Sequence, residues 1–101
     1  MAATPENRVK KQCRALLDDA GAYHFAPVTG GFGKSGVPDI IACFRGAFLG
    51  IECKAGGNKP TALQEREMQK IRDAGGTTLV IREDNIDKLQ EWLNVRRAND
   101  G

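Results

Sequence analysis

Two apolar segments of strand length occupy the middle of the chain, and the dipeptide Arg45-Gly46 separates them. They lie within residues 36–44 and 47–54, and two such segments joined by a two-residue loop predict a β-hairpin. If the hairpin is symmetric about this loop, cross-strand partners have numbers that sum to 91, which places Asp39 opposite Glu52. Side chains alternate along a strand, so Lys54 emerges on the same face as Glu52.

This register brings two acidic side chains together. Opposed side chains in an antiparallel pair have Cβ atoms about 4.5–5.5 Å apart, and two like charges there destabilise the sheet. A divalent cation would convert the repulsion into coordination. Gly50, opposite Ile41, predicts an uncrowded face behind the acids, which would suit a site that admits a substrate.

The same residues also allow an interpretation without a site. A shift of one residue in the register would send Glu52 to the other face of the sheet. Glu52 and Lys54 could also be an ordinary charged pair on a solvated strand, with Asp39 in a turn after Pro38. The hairpin residues alone do not choose between the two interpretations.

Hydrophobic periodicity predicts helices before and after the hairpin. Thr4 can cap a first helix that starts with Pro5 and stops at Gly21. Thr61 opens a second helix, in which Gln64 completes a capping box. The sequence thus predicts one helix on each side of the hairpin.

The remaining elements follow from β-branched and apolar runs. Residues 23–28 predict a strand at the edge of the sheet because of Pro27, and residues 77–82 predict a further strand. A last helix is predicted over about 85–95, followed by a polar tail over 96–101. The predicted order is α-β-β-β-α-β-α.

Glu6 and Gln64 each have a structural and a functional interpretation. Glu6 continues the apolar stripe of the first helix, so its carboxylate could point towards the other acids. Alternatively, the carboxylate interacts favourably with the helix dipole at an exposed N-terminus. Gln64 is fully explained as a capping residue. It also shares a stripe with Met68 and Ile71, so it could face the hairpin.

Composition predicts one ordinary globular domain over residues 1–101, with its core within about 4–95. Hydrophobic residues make up 41% of the chain and charged residues 28%. The cysteines are odd in number, dispersed and set among apolar neighbours, which indicates buried free thiols and neither a disulfide framework nor a zinc site. With no apolar run of membrane-spanning length and no leader, we expect no membrane association and a cytoplasmic location.

Basic residues cluster although the formal net charge is only +2. Cations concentrate in the first helix and around the hairpin, where they could contact a phosphate backbone, although scattered surface lysines would look the same. The candidate DNA-binding residues are Arg8, Lys11, Lys34, Ser35 and Lys59.

The loop over residues 29–36 is rich in glycine, and its Gly33-Lys34-Ser35 is similar to part of a nucleotide-binding P-loop. The leading glycine of that motif would fall at Val28, and Pro38 follows where a helix should start. We therefore exclude a P-loop and expect no nucleotide cofactor.

The Pro38-Asp39 pair, followed by Glu52-Cys53-Lys54 on the returning strand, resembles the active-site signature of the PD-(D/E)XK nuclease superfamily. The wider pattern is similar to the virus-type replication-repair nuclease (VRR-NUC) family over about residues 4–95. Three further features complete that pattern: Glu6 in the preceding helix, Gln64 in the following helix, and Gly75-Gly76 before the next strand.

The resemblance implies an α/β (α+β) restriction-endonuclease-like fold, in which helices flank a mixed four-stranded sheet. It also implies metal-dependent hydrolysis of phosphodiester bonds in DNA. Asp39, Glu52 and the backbone carbonyl of Cys53 would bind Mg²⁺ or Mn²⁺, and Glu6 would complete the acidic cluster. These oxygen ligands suit magnesium, which keeps several of its waters.

The resemblance also implies roles for Lys54, which would orient or help deprotonate the attacking water, and for Gln64, which would position that lysine. Stand-alone domains of this family resemble Holliday junction resolvases, so the first expectation is a homodimer acting on four-way junctions, of phage or bacterial source. A nuclease for flaps, single strands or ends is the second expectation. The third, a DNA-binding module without catalysis, is disfavoured because a pure binder gains nothing from acids beside phosphates.

Overall fold

The computed structural model describes residues 4–28 and 33–99, and these form one four-stranded sheet flanked by helices. The elements are α1 (Pro5–Ala20), β1 (Tyr23–Phe25), β2 (Ile40–Phe44), β3 (Ala47–Cys53), α2 (Ala62–Asp73), β4 (Thr77–Ile81) and α3 (Asp87–Asn99). The strand order is β1-β2-β3-β4, antiparallel except for the parallel pair β3–β4. The predicted order of elements and the mixed sheet are confirmed. Residues 29–32 of the predicted glycine-rich loop lie outside the described residues.

The central hairpin has the predicted register. Arg45 and Gly46 both have positive φ, 52° and 82°, as a two-residue turn of type I′ requires. Ile40 pairs with Ile51, so the cross-strand sum of 91 holds along the whole ladder. β2 begins at Ile40, and Asp39 therefore stands just beyond the last paired residue.

Helices cover both faces of the sheet. One face packs against α1 and α3, and the side chains in that core are Val9, Cys13, Leu17, Ile40, Ala42, Phe44, Leu49, Ile51, Cys53, Ile81, Leu89 and Leu93. α2 lies on the other face, where Ile71 approaches Gly50 of β3. Glu52 and Lys54 alternate with Ile51 and Cys53, so they lie on the α2 face of the sheet. None of the helices in the described part of the chain is long and apolar enough to cross a membrane.

The predicted open face at Gly50 is wrong. A Cβ atom on this glycine would lie 2.9 Å from Cγ of Pro38 and 3.0 Å from Cδ1 of Ile71. Glycine is therefore required here because the loop before β2 and helix α2 both pack directly on the strand.

The last helix starts later and ends later than predicted. The side chain of Asn85 bonds the backbone after β4, since its Oδ1 accepts from the N–H of Arg82 and its Nδ2 donates to the carbonyl of Val80 at 3.0 Å. This turn delays α3 until Asp87. The helix then continues to Asn99, so the prediction of a polar tail from Arg96 is wrong for residues 96–99.

Two predictions about the sheet edge also need correction. The strand predicted over 23–28 is limited to Tyr23–Phe25, and Pro27 has no N–H to continue the pairing. Cys13 and Cys53 are buried as predicted, but Cys43 is exposed. Its side chain projects from β2 on the face opposite the main core, and α2 covers only the β3–β4 half of that face.

Candidate active site

Asp39 is held at the end of the hairpin by the backbone of β3. If the register continued beyond Ile40 and Ile51, Pro38 would lie opposite Cys53. In an antiparallel ladder this would be the next pair whose two backbones exchange N–H···O=C hydrogen bonds. The N–H of Cys53 instead donates to Oδ2 of Asp39 at 2.9 Å, so the carboxylate replaces a backbone acceptor. Pro38 has no N–H and cannot donate to the carbonyl of Cys53. The N–H and C=O of one strand residue point to the same side, which directs this carbonyl towards Asp39.

Glu52 is a buried acid with an unusual pKa. Its exposed fraction is 1%, and burial raises its pKa to about 7, with the neighbouring Asp39 carboxylate and, more weakly, Glu6 adding to the effect. Its Oε2 lies 3.3 Å from Nζ of Lys54. Its Oε1 is buried and has no hydrogen-bond partner among the described residues. The side chain thus carries one oxygen that is paired and one that is free to accept a ligand.

Lys54 is fixed at both its backbone and its side chain. Its N–H donates to the carbonyl of Ile81 at 3.0 Å, which anchors the end of β3 to β4. Its side chain is 12% exposed and extends on the face shared with Glu52. The ammonium group opposes the effect of burial on the pKa of Glu52, both through its hydrogen bond and through its charge.

The start of α1 brings an acid and a base to the same site. Glu6 is half-buried in the first turn, close enough for its charge to affect Glu52. Lys10 follows one turn later, and its Nζ lies 3.9 Å from Oδ1 of Asp39. Sequence reasoning missed Lys10 as a site residue, although its spacing of four residues from Glu6 was a signal that the two share one helix face.

Gln64 forms the predicted capping box. Its Oε1 accepts from the N–H of Thr61 at 2.9 Å, and its own N–H donates to Oγ1 of Thr61 at 3.2 Å. The helix-capping role of Gln64 is confirmed. Its effect on Lys54 stays a prediction.

No family model matches the sequence. The chain is 33% identical over 63 residues to "Putative nuclease p44" of Acyrthosiphon pisum secondary endosymbiont phage 1, a match that covers 61% of this chain and 68% of that protein. A solved structure described as a "VRR_NUC domain" has a TM-score of 0.71 and 28% sequence identity, and the match covers 88% of this chain and 97% of that one. The chain belongs to the VRR-NUC family.

In this VRR-NUC domain the oxygen atoms that gather at the end of β3 fit a hard divalent cation. The described residues contain no group of three or more His, Cys, Asp or Glu side chains arranged to hold a metal. The donors that fit are instead two carboxylates, from Asp39 and Glu52, and the carbonyl of Cys53. The thiol of Cys53 is not among them, because its hydrogen bond with Cys13 and its burial raise its pKa. The unpartnered Oε1 of Glu52 is the observation that favours a cation.

The predicted DNA-binding residues of the VRR-NUC domain lie on its surface in three places. Arg8 and Lys11 are exposed on α1, and Lys11 borders a shallow groove of about 470 Å³ beside Lys10. Lys59 is exposed in the loop between β3 and α2. Lys34 and Ser35 are exposed in the loop before β2. Of the basic residues of α1, Lys10 is the one that contacts an acid of the site, through Asp39.

Proposed function

We propose that this VRR-NUC domain is a metal-dependent endonuclease that hydrolyses phosphodiester bonds in DNA. The observation that carries the proposal is the arrangement at the end of β3, where the N–H of Cys53 fixes Asp39 beside a buried Glu52 that pairs with Lys54. The nuclease name of the phage relative supports the same class of chemistry.

Asp39, Glu52 and the carbonyl of Cys53 would hold Mg²⁺ or Mn²⁺, with Glu6 adding negative charge to the site. When bound, the ion would supply Lewis-acid activation of the phosphate and a lowered pKa for a coordinated water. The chain's own contribution is preorganisation, because the Cys53 N–H fixes Asp39 before any ligand arrives.

Lys54 contributes a positive charge that does not depend on a metal. Its Nζ is held 3.3 Å from Glu52, on the same face of β3. From there the ammonium can orient the attacking water and offset negative charge that develops on the phosphate oxygens. Gln64 would position this lysine, and the proposed DNA contacts remain Arg8, Lys11, Lys34, Ser35 and Lys59.

The finer proposal is cleavage of four-way junctions by a homodimer. A junction offers two symmetric strands, and a two-fold dimer of a small domain doubles the surface available for DNA. The phage origin of the relative supports a role in a bacterial or phage-infected cell, in the cytoplasm.

The test is cleavage of end-labelled DNA with matched sequence, supplied as a four-way junction, a flap, a duplex and a single strand. Each substrate is incubated with Mg²⁺, with Mn²⁺ and with chelator, using the wild type and Asp39→Asn. Symmetric metal-dependent nicks confined to the junction would support both the nuclease and the resolvase. Cleavage mainly of flaps or single strands would support the nuclease and reject the resolvase, and no cleavage of any substrate would reject both.

A further inference from the structure

A second cleft opens at the other end of β3 from the acids. It has a volume of about 520 Å³, within the usual range for ligand sites. The hairpin turn at Gly46, the exposed ring of Phe48, the side of α2 and the turn at Gly75 and Gly76 border it. We call it the Phe48 cleft.

Two ammonium groups stand at the edge of the Phe48 cleft. Glu67 of α2 is buried, with 7% of its surface exposed. Its Oε1 lies 3.1 Å from Nζ of Lys34, and its Oε2 accepts from Nζ of Lys70 at 3.0 Å. The lysine side chains are 63% and 60% exposed, so solvent reaches both cations. Hydrogen bonds from Lys70 and then Lys34 lower the pKa of Glu67, which keeps the carboxylate ionised and leaves the three groups with a net charge of +1.

The ring of Phe48 is both exposed and fixed. It is 44% exposed, and a Cβ atom on Gly76 would lie 3.1 Å from its Cδ1. One edge of the ring therefore packs tightly against the turn before β4. An aromatic surface held in place beside cations is the combination that binds bases and phosphates of single-stranded nucleic acid.

We propose that the Phe48 cleft binds a nucleotide of an unpaired DNA strand, with the base stacked on Phe48 and the phosphate on the solvent-exposed side of Lys34 and Lys70. This inference rests on the proposed nuclease function and deepens it.

Phe48 and Glu52 lie on one face of β3 and four residues apart, a distance of about 13 Å at 3.3 Å per residue. This distance corresponds to about four nucleotides at the 3.4 Å rise of a duplex strand. Because Pro38 and Ile71 cover Gly50 between the two positions, a DNA strand in the cleft has to pass over this packing, and its path to the acids is longer. The preferred substrate carries unpaired bases close to the cut, as junctions, flaps and overhangs do.

The test measures binding without cleavage. A fluorescent single strand and the matched duplex are titrated with the protein in chelator, using wild type, Phe48→Leu, Phe48→Tyr and the control Phe25→Leu. Phe25 is similarly exposed, at 43%, but lies outside the cleft. We expect Phe48→Leu to weaken single-strand binding about fivefold or more, because base stacking is lost. Phe48→Tyr and Phe25→Leu should bind as the wild type does, and duplex binding should change little.

A variant that removes a negative charge from the Phe48 cleft provides a second test, in which single-strand binding and its salt dependence are measured. Glu67→Gln keeps one acceptor oxygen, replaces the other with a donor NH₂ group and removes a negative charge beside the phosphate position. We expect tighter single-strand binding and a steeper dependence on salt, because the two lysines then face the phosphate without a counter-charge. Weaker binding with an unchanged salt dependence would overturn the proposal.

Several outcomes at Phe48 would also overturn it. These are equal affinity of Phe48→Leu and wild type, an equal loss on the duplex, and a change of Phe48→Leu from dimer to monomer by light scattering, which would make this surface a subunit interface. The nuclease proposal fails separately. Cleavage by the wild type without any effect of Phe48 rejects the cleft alone, whereas Phe48-dependent binding without cleavage of any DNA rejects the nuclease alone.

Discussion

Glu52 and Glu67 are both buried glutamates, but their surroundings are opposite. Glu67 has an ammonium group on each oxygen, and these hydrogen bonds lower its pKa. Glu52 has one lysine on one oxygen, a second oxygen without a partner among the described residues, and acidic neighbours, and its pKa is raised to about 7. A buried acid is tolerated when both of its oxygens are compensated and is costly when they are not.

The two glutamates differ in whether the protein itself compensates both carboxylate oxygens. Both carboxylate oxygens of Glu67 are paired with ammonium groups of the protein, and Glu67 holds these two cations in place. Only one oxygen of Glu52 is paired within the described residues, and a cation from solution would supply the positive charge that Lys54 alone does not. Burial of an acid therefore says little about its role until the partners of both oxygens are known.

The largest expected effect is that of Asp39→Asn on cleavage. Asparagine retains an acceptor for the N–H of Cys53, so the fold should persist, but the negative charge is lost. We expect a fall in rate of at least about 1,000-fold, because a charged group at the reacting centre is removed. The rate is measured under single turnover, and circular dichroism checks the fold. The control is Asp84→Asn, which changes an exposed acid in the turn after β4. An equal loss in both variants would contradict the assignment.

Lys54→Met tests the cation beside Glu52. Loss of charge stabilisation at the phosphate should lower the cleavage rate about 100-fold. Because Lys54 lowers the pKa of Glu52, the metal-free variant should also show a pKa for Glu52 above about 7 by NMR titration. A normal rate together with an unchanged pKa would show that this ion pair plays no part in the site.

Glu52→Gln should stabilise the metal-free protein at alkaline pH. The folded-state pKa of about 7 exceeds the ordinary value of 4.5, so the folded state binds a proton more tightly than the unfolded state does. The resulting stability is complete below about pH 4.5 and is lost as the pH rises through about 7, a change of at most about 3 kcal/mol. Urea unfolding from pH 5 to pH 8 measures this change, and Glu52→Gln should remove it. An identical pH dependence in the variant would refute the raised pKa.

Glu67→Gln should have the opposite sign. A lowered folded-state pKa gives stability that is present above the ordinary value of 4.5 and lost as the pH falls. The variant should therefore be less stable than the wild type at pH 7, and the difference should shrink only as the pH falls below about 4.5. The same urea unfolding measurements, extended down to about pH 3, test this. If both glutamine variants shift stability in one direction, the contrast between the two glutamates is wrong.

Gln64→Ala and Thr61→Ala give the smallest expected effects and separate two roles of Gln64. Each removes part of the capping box and should cost about 1 kcal/mol of stability. If Gln64 positions Lys54, its substitution should lower the cleavage rate several-fold more than Thr61→Ala does at matched stability. Equal cleavage rates of the two variants would show that Gln64 acts only as a helix cap.

The hairpin and its register were predictable from the sequence, and with them the position of Asp39 near Glu52. A two-residue loop at Arg45-Gly46 fixes the register, and the alternation of side chains then places Glu52 and Lys54 on one face. The helix caps at Thr4 and Thr61 were likewise predictable from the sequence, because each depends on two residues three positions apart. These are local relations, and local sequence is sufficient for them.

The contacts between elements that are distant in the chain could not be predicted from the sequence. The closure of Gly50 by Pro38 and Ile71, the approach of Lys10 to Asp39 and the burial of Glu67 under Lys34 each join segments that are far apart in the chain. Periodicity reports which face of an element is apolar, but not which neighbour covers it. The Phe48 cleft exists only because α2 and the turn before β4 pack beside the hairpin, a relation that no pattern within a single element encodes.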